Sequence, residues 1–290
     1  IELCDEDLNE IKRRRSLCTS ETDTYLSLDA LALRDLAARQ ILPIDEASTG
    51  LLQVTSYTGD TTAPVLNSFE FTAHPGTITI TFSEVVDLTT FDVESIAIHS
   101  SQGSSSTSRL LTGGTYSPMT EGINVTVTLT AADLNAIKYD AALAIDAQTT
   151  NIVINSSLVN DLAANPMTAI GVDAAQVTSD YTEDGEAPTL IAFQLDLTAE
   201  TLTLSFSETV RLGTLQPGSL VLQSTAAGAI QYTLTGGTAS EVTGLIAQLS
   251  LTLTDLNAIK ALVGLGSSSS TTYLAMTVGA IQDANANDLA

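Results

Sequence analysis

Tryptophan is absent from this 290-residue chain, and aromatic residues make up only 4% of it. Basic residues are scarce too: 10 Lys and Arg stand against 34 Asp and Glu, and the formal net charge is −24. The shortage of aromatic side chains does not favour an aromatic-lined ligand pocket, and the shortage of basic ones argues against nucleic acid as a partner. Long apolar runs are also missing, so no segment is predicted to insert into a membrane.

Catalytic motifs are missing as well. His74 and His99 are the only histidines, and the chain has no nucleophile elbow, phosphate-binding glycine loop or zinc-ligand spacing. We therefore expect a protein that is not an enzyme. The chain begins at Ile1 without an initiator methionine or a basic-then-apolar leader, and we interpret it as an excerpt of a longer secreted protein.

An internal repeat dominates the sequence. The motif Asp-Leu-Asn-x-Ile-Lys occupies residues 7–12 and returns 126 residues later at 133–138 and another 122 residues later at 255–260. A second landmark, Phe-Ser-Glu, stands at 82–84 and again 124 residues later at 206–208. Such agreement between landmarks indicates a tandem array of similar modules.

The landmarks divide the chain into three parts. We call residues 1–59 the partial repeat, 60–183 the middle repeat and 184–290 the last repeat, and we expect the last repeat to be truncated at its linker end. The partial repeat has the helix motif but no Phe-Ser-Glu strand. We expect its missing strands to come from residues before Ile1 or from another chain, because half a module cannot close a core.

Polar and apolar residues alternate with a period of two at 77–82 and 201–206, which predicts strands with one buried face. The same alternation continues at 124–130 and 248–254. Each of these runs leads into the helix motif, where we expect Thr130 and Thr254 to cap a short helix. Many short strands separated by Gly- and Ser-rich turns predict a β-sandwich in each repeat.

Three short motifs carry a resemblance to a known family. Asp-x-x-Ala-Pro, Phe-Ser-Glu-x-Val and Asp-x-x-x-Asn follow one another in that order, and the set resembles the bacterial-type Ig-like domains of surface-layer and large cell-surface proteins. The resemblance implies an all-β fold of tandem Ig-like β-sandwich repeats, here each with a short inserted helix. The motifs begin at Asp60, Phe82 and Asp161 in the middle repeat and at Asp184, Phe206 and Asp283 in the last.

Domains of this family serve as spacers or stalks, so the resemblance implies a structural segment of an extracellular or cell-surface rod, fibre, flagellar hair or stalk. Its partners would be neighbouring repeats or copies of itself in a filament. Two alternatives stay open. Loops such as 100–108 and 266–270 would bind a glycan or a protein in an adhesin, and the partial repeat would accept strands from another chain in a self-assembling protein.

Calcium is the sharpest chemical hypothesis. Alternation places Glu84 and Glu208 on the inward face of their strands, and an unpaired buried carboxylate is costly unless a cation or several donors compensate it. Alternatively, the strand twist turns each glutamate to water. The predicted oxygen ligands are Asp60, Glu84, Asp87 and Asp161 in the middle repeat, and Asp184, Glu186, Glu208 and Asp283 in the last.

Other modification sites follow from local sequence. Cys4 and Cys18 flank a short helix, which favours a disulfide in a secreted protein over two reduced thiols. Asn124 and Asn155 open N-glycosylation sequons, although sequons also arise by chance in Ser/Thr-rich chains. The basic run at 12–16 is either a processing site or, as we favour, a helix face that contacts acidic neighbours.

Overall fold

The structure, a computed structural model, describes residues 2–47, 50–118 and 120–290. It is built mostly of β-strands in several antiparallel sheets, as predicted. The α-helices are α1 Asp5–Arg13, α2 Ala131–Tyr139 and α3 Leu253–Ala261. Single turns of 3-10 helix lie at Glu21–Asp23, Leu88–Thr90, Val93–Ser95, Ala147–Thr149, Val172–Ala174, Leu212–Thr214, Pro217–Ser219 and Ser269–Thr271. No described helix has the length and apolarity to span a membrane.

The partial repeat contains α1 and one antiparallel pair of two-residue strands, β1 Tyr25–Leu26 and β2 Leu52–Gln53. None of its described residues, 2–47 and 50–59, is buried. Its apolar side chains therefore contribute to no core within the described part of this chain.

In residues 60–118 and 120–183 the middle repeat has ten strands in two sheets. One sheet has the order β12-β3-β4-β8-β7 with β10 paired to β4, and the other has the order β11-β9-β5-β6. Among the strand pairs of the described residues here, β12–β3 is parallel and the others are antiparallel. The strands are β3 Leu66–Thr72, β4 Thr77–Asp87, β5 Ile96–His99, β6 Ser108–Leu110, β7 Gly114–Ser117, β8 Glu121–Leu129, β9 Asn151–Ile154, β10 Asn160–Asp161, β11 Gln176–Val177 and β12 Asp180–Thr182.

The last repeat has the order β13-β14-β19-β18 in its largest sheet, beside a three-stranded sheet β17-β16-β20 and the pair β15–β21. Its strands are β13 Leu190–Asp196, β14 Thr201–Phe206, β15 Val210–Arg211, β16 Leu220–Gln223, β17 Gln231–Thr233, β18 Thr238–Thr243, β19 Ile246–Ser250, β20 Tyr273–Met276 and β21 Gln282–Asp283.

The two repeats have separate cores at equivalent places. In β4 the alternation buries Ile78, Ile80 and Phe82, which pack with side chains of the facing sheet, and this cluster contains only residues 66–181. In β14 it buries Phe206 within a second cluster made only of residues 190–289. Phe82 and Phe206 therefore have equivalent surroundings, and α2 and α3 close the two cores with Ile137 and Ile259.

The sequence Leu-Thr-Gly-Gly occurs at 111–114 and again at 234–237, and its last glycine has a steric basis. Gly114 and Gly237 have φ of +150° and +143°, and a Cβ at either position would lie 2.6 Å from the carbonyl oxygen of Thr128 or Ser250. Only glycine allows the two strands to approach this closely in that conformation.

The predicted helix cap is right at Thr130 and wrong at Thr254. Thr130 Oγ1 accepts a hydrogen bond from Asp133 N, and the matching bond in the last repeat joins Thr252 Oγ1 to Asp255 N at 3.0 Å. Thr252 is therefore the cap equivalent to Thr130. As a result β19 ends at Ser250, and α3 begins two residues earlier than the alternation predicts.

Candidate functional site

Six of the predicted carboxylates meet in two clusters of three. The first triad is Asp60, Glu84 and Asp161, and the second triad is Asp184, Glu208 and Asp283. In each triad, one oxygen from every residue lies within 4.8 Å of the other two. The two triads occupy equivalent places. In each, the glutamate follows the Phe-Ser pair, and the last aspartate lies on a short strand where it pairs with the residue two positions after that glutamate.

A lysine of the preceding repeat enters each triad. Lys138 Nζ, at the end of α2, lies 2.6 Å from Asp184 Oδ2 and 2.7 Å from Glu208 Oε2. Lys12 Nζ, from α1, lies 2.7 Å from Asp60 Oδ2 and donates a short hydrogen bond to Glu84. The cation beside these carboxylates is thus an ammonium group from the neighbouring repeat.

We call the contact between the partial and middle repeats the first joint, and the contact between the middle and last repeats the second joint. The second joint is the more buried of the two. The side chain of Lys138 is 7% exposed and that of Asp184 is fully buried, whereas Lys12 is 20% exposed. Asp184 Oδ2 accepts no well-aligned hydrogen bond, so it is the charge of the nearby ammonium that compensates it. Coulomb attraction is stronger where water is excluded, which makes the second joint more dependent on its lysine.

The pKa values in the triads reflect burial and ion pairing. Burial raises the pKa of Glu84 and of Glu208, and the adjacent lysines only partly offset that effect. Burial opposes the charge on Lys12 and Lys138 as well, but hydrogen bonds and attraction to the carboxylates outweigh it and raise the pKa of both amines. Both lysines are therefore cationic at neutral pH.

The closing Asp-x-x-x-Asn motif fixes the third carboxylate of each triad. Asn165 Nδ2 donates to Asp161 Oδ2 at 2.7 Å and to the carbonyl oxygen of Asp60 at 3.2 Å. Asn287 makes the same two bonds in the last repeat. The motif thus ties the end of each module to the linker that begins it. These bonds fix the first and third carboxylate residues of the triad relative to each other.

The asparagine of the helix motif also reaches the next repeat. Val85 N, directly after Glu84, donates to Asn9 Oδ1 at 3.1 Å. At the second joint Thr209 Oγ1, directly after Glu208, donates to the carbonyl oxygen of Asn135 at 3.1 Å. The Asn and Lys of the motif therefore form one contact surface. We call it forward-facing because it contacts the repeat that follows in the chain.

The other motif residues serve their own repeat. Asp133 is fully buried and accepts hydrogen bonds from Arg109 Nη2 at 2.7 Å and from Thr112 N at 2.9 Å. Asp255 accepts from Tyr232 Oη at 2.8 Å and from Thr235 N at 3.0 Å. In α2 and α3 the Leu and Ile of the motif pack into the core, so one short helix joins the inside of its own module to a surface that faces the next.

Two predicted ligands lie outside the triads. Asp87 pairs with Arg15 Nη2 at 3.0 Å and caps a turn by accepting a hydrogen bond from Thr89 N. Glu186 is exposed, and its backbone N–H donates to Asp184 Oδ1. The interpretation of the basic run as a face that contacts acidic neighbours is confirmed by Lys12 and Arg15.

The remaining predicted sites are placed as follows. Cys4 is exposed and Cys18 partly buried, and the structure has both as free thiols. Asn124 on β8 and Asn155 after β9 are exposed. The disulfide and the glycans stay predictions, and the intact mass with and without reduction and alkylation tests the disulfide.

Sequence reasoning missed the lysines as partners of the triads. The signal was present, because Lys12, Lys138 and Lys260 recur at the same motif position. Carboxylates that converge in this way suit a hard cation such as Ca²⁺, but the ammonium already lies among them, and calcium stays a prediction. A scan against family models and a search of curated proteins both find no match for this chain.

Proposed function

We propose that this chain is a structural segment of an extracellular or cell-surface protein, in which Ig-like β-sandwich repeats follow one another as a rod, fibre, flagellar hair or stalk. The observation that carries this proposal is the joint between repeats. At two successive joints the same helix of one repeat places the same lysine among carboxylates of the next. A lysine contact repeated at equivalent positions would favour a similar arrangement of neighbouring repeats at each joint.

The joint resists bending because its charges are shielded from water. An exposed ion pair contributes about 0–1 kcal/mol, whereas removing one partner of a buried pair costs about 3–5 kcal/mol. Lys138, Asp184 and Glu208 are closer to the second case. Any bend that withdraws the lysine leaves buried carboxylates without a cation, so the joint favours one orientation.

Separate cores suit the same role. In a tandem array each module depends mainly on its own core and on its immediate neighbours, so local damage does not spread through the whole array. The middle and last repeats have independent buried clusters, and the contacts at their joint are polar. The extracellular location rests on the family resemblance, the cysteine pair and the sequons.

The proposal is tested by removing one lysine at a time from the full chain. Lys138→Met removes the ammonium from the second triad, and Lys260→Met is the matched control, because Lys260 is exposed and makes no ion pair among the described residues. Negative-stain electron microscopy and small-angle X-ray scattering would measure the angle between the middle and last repeats. We expect one narrow distribution for the unmodified chain and Lys260→Met, and a broad one for Lys138→Met. Identical distributions for all three proteins would overturn the proposal.

A further inference from the structure

The third copy of the helix motif has the same forward-facing residues as the other two. Asp255, Leu256 and Ile259 are buried in the last repeat, which leaves Asn257 and Lys260 on the opposite, exposed side of α3. These two positions correspond to the asparagine and lysine that contact the next repeat from α1 and α2. Among the described residues, neither Asn257 nor Lys260 makes a side-chain hydrogen bond or an ion pair.

The contrast in exposure is clear at the lysine. Lys12 and Lys138 are drawn into carboxylate triads, while Lys260 stands exposed with its ammonium group in solvent. Asp255 lies on the opposite, buried side of α3, where its Oδ1 accepts hydrogen bonds from Tyr232 and Thr235, and Lys260 pairs with no described carboxylate. The lysine is therefore available for a partner.

An apolar side chain extends the same surface. Val263, the second residue beyond the end of α3, is almost fully exposed. The equivalent residue after α1 is Arg15, which pairs with Asp87, and the equivalent after α2 is Ala141. A partner of α3 would meet an uncharged side chain at this point instead of an ion pair.

We propose that the exposed face of α3, formed by Asn257, Lys260 and Val263, is a docking surface for one further module that presents three convergent carboxylates. The ammonium of Lys260 enters that triad, and Asn257 bonds the residue that follows the partner's glutamate. Val263 packs on an apolar side chain at the position that Asp87 and Arg211 hold in this chain. The inference rests on the proposed function, because it extends the observed joint to a third position.

The test extends the full chain after Ala290 with residues 169–183, which lead the middle repeat into Asp184, followed by a second copy of residues 184–290. The added copy carries Lys260→Arg, so that a labelled peptide containing Lys260 comes only from the original repeat. Lysines are acetylated in a short pulse and quantified by peptide mass spectrometry. In the unextended chain we expect Lys260 to react fastest and Lys138 slowest. In the extended chain we expect labelling of Lys260 to slow by about tenfold, as for a group that reacts only when a contact opens.

Three comparisons make the result decisive. Neutralising the two lysine-binding carboxylates of the added triad with Asp184→Asn and Glu208→Gln should return Lys260 to its fast rate. Replacing Arg211 by Leu in the added copy should slow Lys260 further, since Val263 then meets an apolar side chain. Appending residues 60–183 in place of the second copy gives an independent acceptor, should the first fail to fold.

The outcomes separate the two proposals. Lys260 reacting equally fast in the unextended chain and in both extended chains would overturn the docking surface, and so would protection that survives neutralisation of the added triad. If Lys138 reacted as fast as Lys260 in the unextended chain, the observed joint would not persist in solution, and the proposed function would fail first.

Discussion

The partial repeat and the middle repeat have the same local structure but different burial. Both have a nine-residue helix followed by a turn of 3-10 helix with a capping box, at Glu21–Asp23 and at Ala147–Thr149. Cys18 and Ala144 are equivalent, and both have positive φ, at 57° and 50°. Local sequence is therefore sufficient to specify the path of the backbone in this half of the module.

Burial depends on the other half. Leu17 is 38% exposed while its equivalent Leu143 is 2% exposed, and Leu26 is 50% exposed while its equivalent Ile152 is fully buried. The difference lies in the long strands β3, β4 and β8, which pack in the same core as these side chains in the middle repeat and have no counterpart in residues 2–47 and 50–59. Short-range signals determine shape, and the partner strands supply the hydrophobic stabilisation.

The largest expected effect tests this comparison in the core. Ile137→Ala removes a fully buried side chain, and we expect it to lower the free energy of unfolding of the middle repeat by about 4 kcal/mol. Ile11→Ala, the equivalent change in the partial repeat, should cost less than about 1 kcal/mol because Ile11 belongs to no core. Urea denaturation measures both. Equal losses would mean that the partial repeat has a core of its own.

The buried aspartate of the helix motif gives the next effect. Asp133→Asn should destabilise the middle repeat by about 3 kcal/mol at neutral pH, because it weakens several charge-assisted hydrogen bonds. Asp7→Asn, at the exposed equivalent in α1, should have no measurable effect.

The effect of Asp133 should also depend on pH. Burial acts to raise its pKa, but hydrogen bonds from Thr112, Arg109 and Thr130 outweigh that and lower it. Stability from a lowered pKa is present above the ordinary carboxyl value and is lost as pH falls through the folded value. The difference between Asp133→Asn and the unmodified chain should therefore shrink below about pH 4, where aspartates begin to take up protons. A constant difference across that range would contradict the assignment.

The two joints should differ in the same sense as their burial. We expect Lys138→Met to lower the stability of the last repeat by about 3 kcal/mol, and Lys12→Met to lower that of the middle repeat by about 1 kcal/mol. The reason is that Lys138 is the less exposed lysine. Thermal unfolding followed by calorimetry would measure both, and a larger effect at Lys12 would reverse the ranking.

Calcium should give the smallest effect in the unmodified chain. If Ca²⁺ binds the triads it competes with the lysines, so we expect it to raise the melting temperature of Lys138→Met more than that of the unmodified chain. If Ca²⁺ binds the folded state only, a free Ca²⁺ concentration of ten times the dissociation constant would add about 1.4 kcal/mol to the free energy of unfolding. Differential scanning calorimetry with Ca²⁺, and with Mg²⁺ as the control, measures the shift. No shift in either protein would remove the calcium hypothesis.

Much of the fold could be predicted from the sequence. Strand periodicity is a local signal, and the repeat spacing is visible directly in the sequence. The strand at 77–82 and the cap at Thr130 follow directly from them. The end of β19 was less predictable, because alternation runs past Ser250 until the Thr252 cap interrupts it. Alternation also implied that Glu84 needs a cation, but one strand carries no information about which group a different repeat brings to it.

The carbonyl and carboxylate contacts of Asn165 and Asn287 hold an acceptor at the start of each module, while the lysine lies on a helix at the other end. The lysine surface and the carboxylate surface are thus different parts of the module. A two-fold axis requires the same surface on both partners, so it cannot generate this contact. A head-to-tail contact of this type does not close into a symmetric dimer. Repetition of such a contact would generate a ring if the rotation per step closes on itself and an open helical array if it does not.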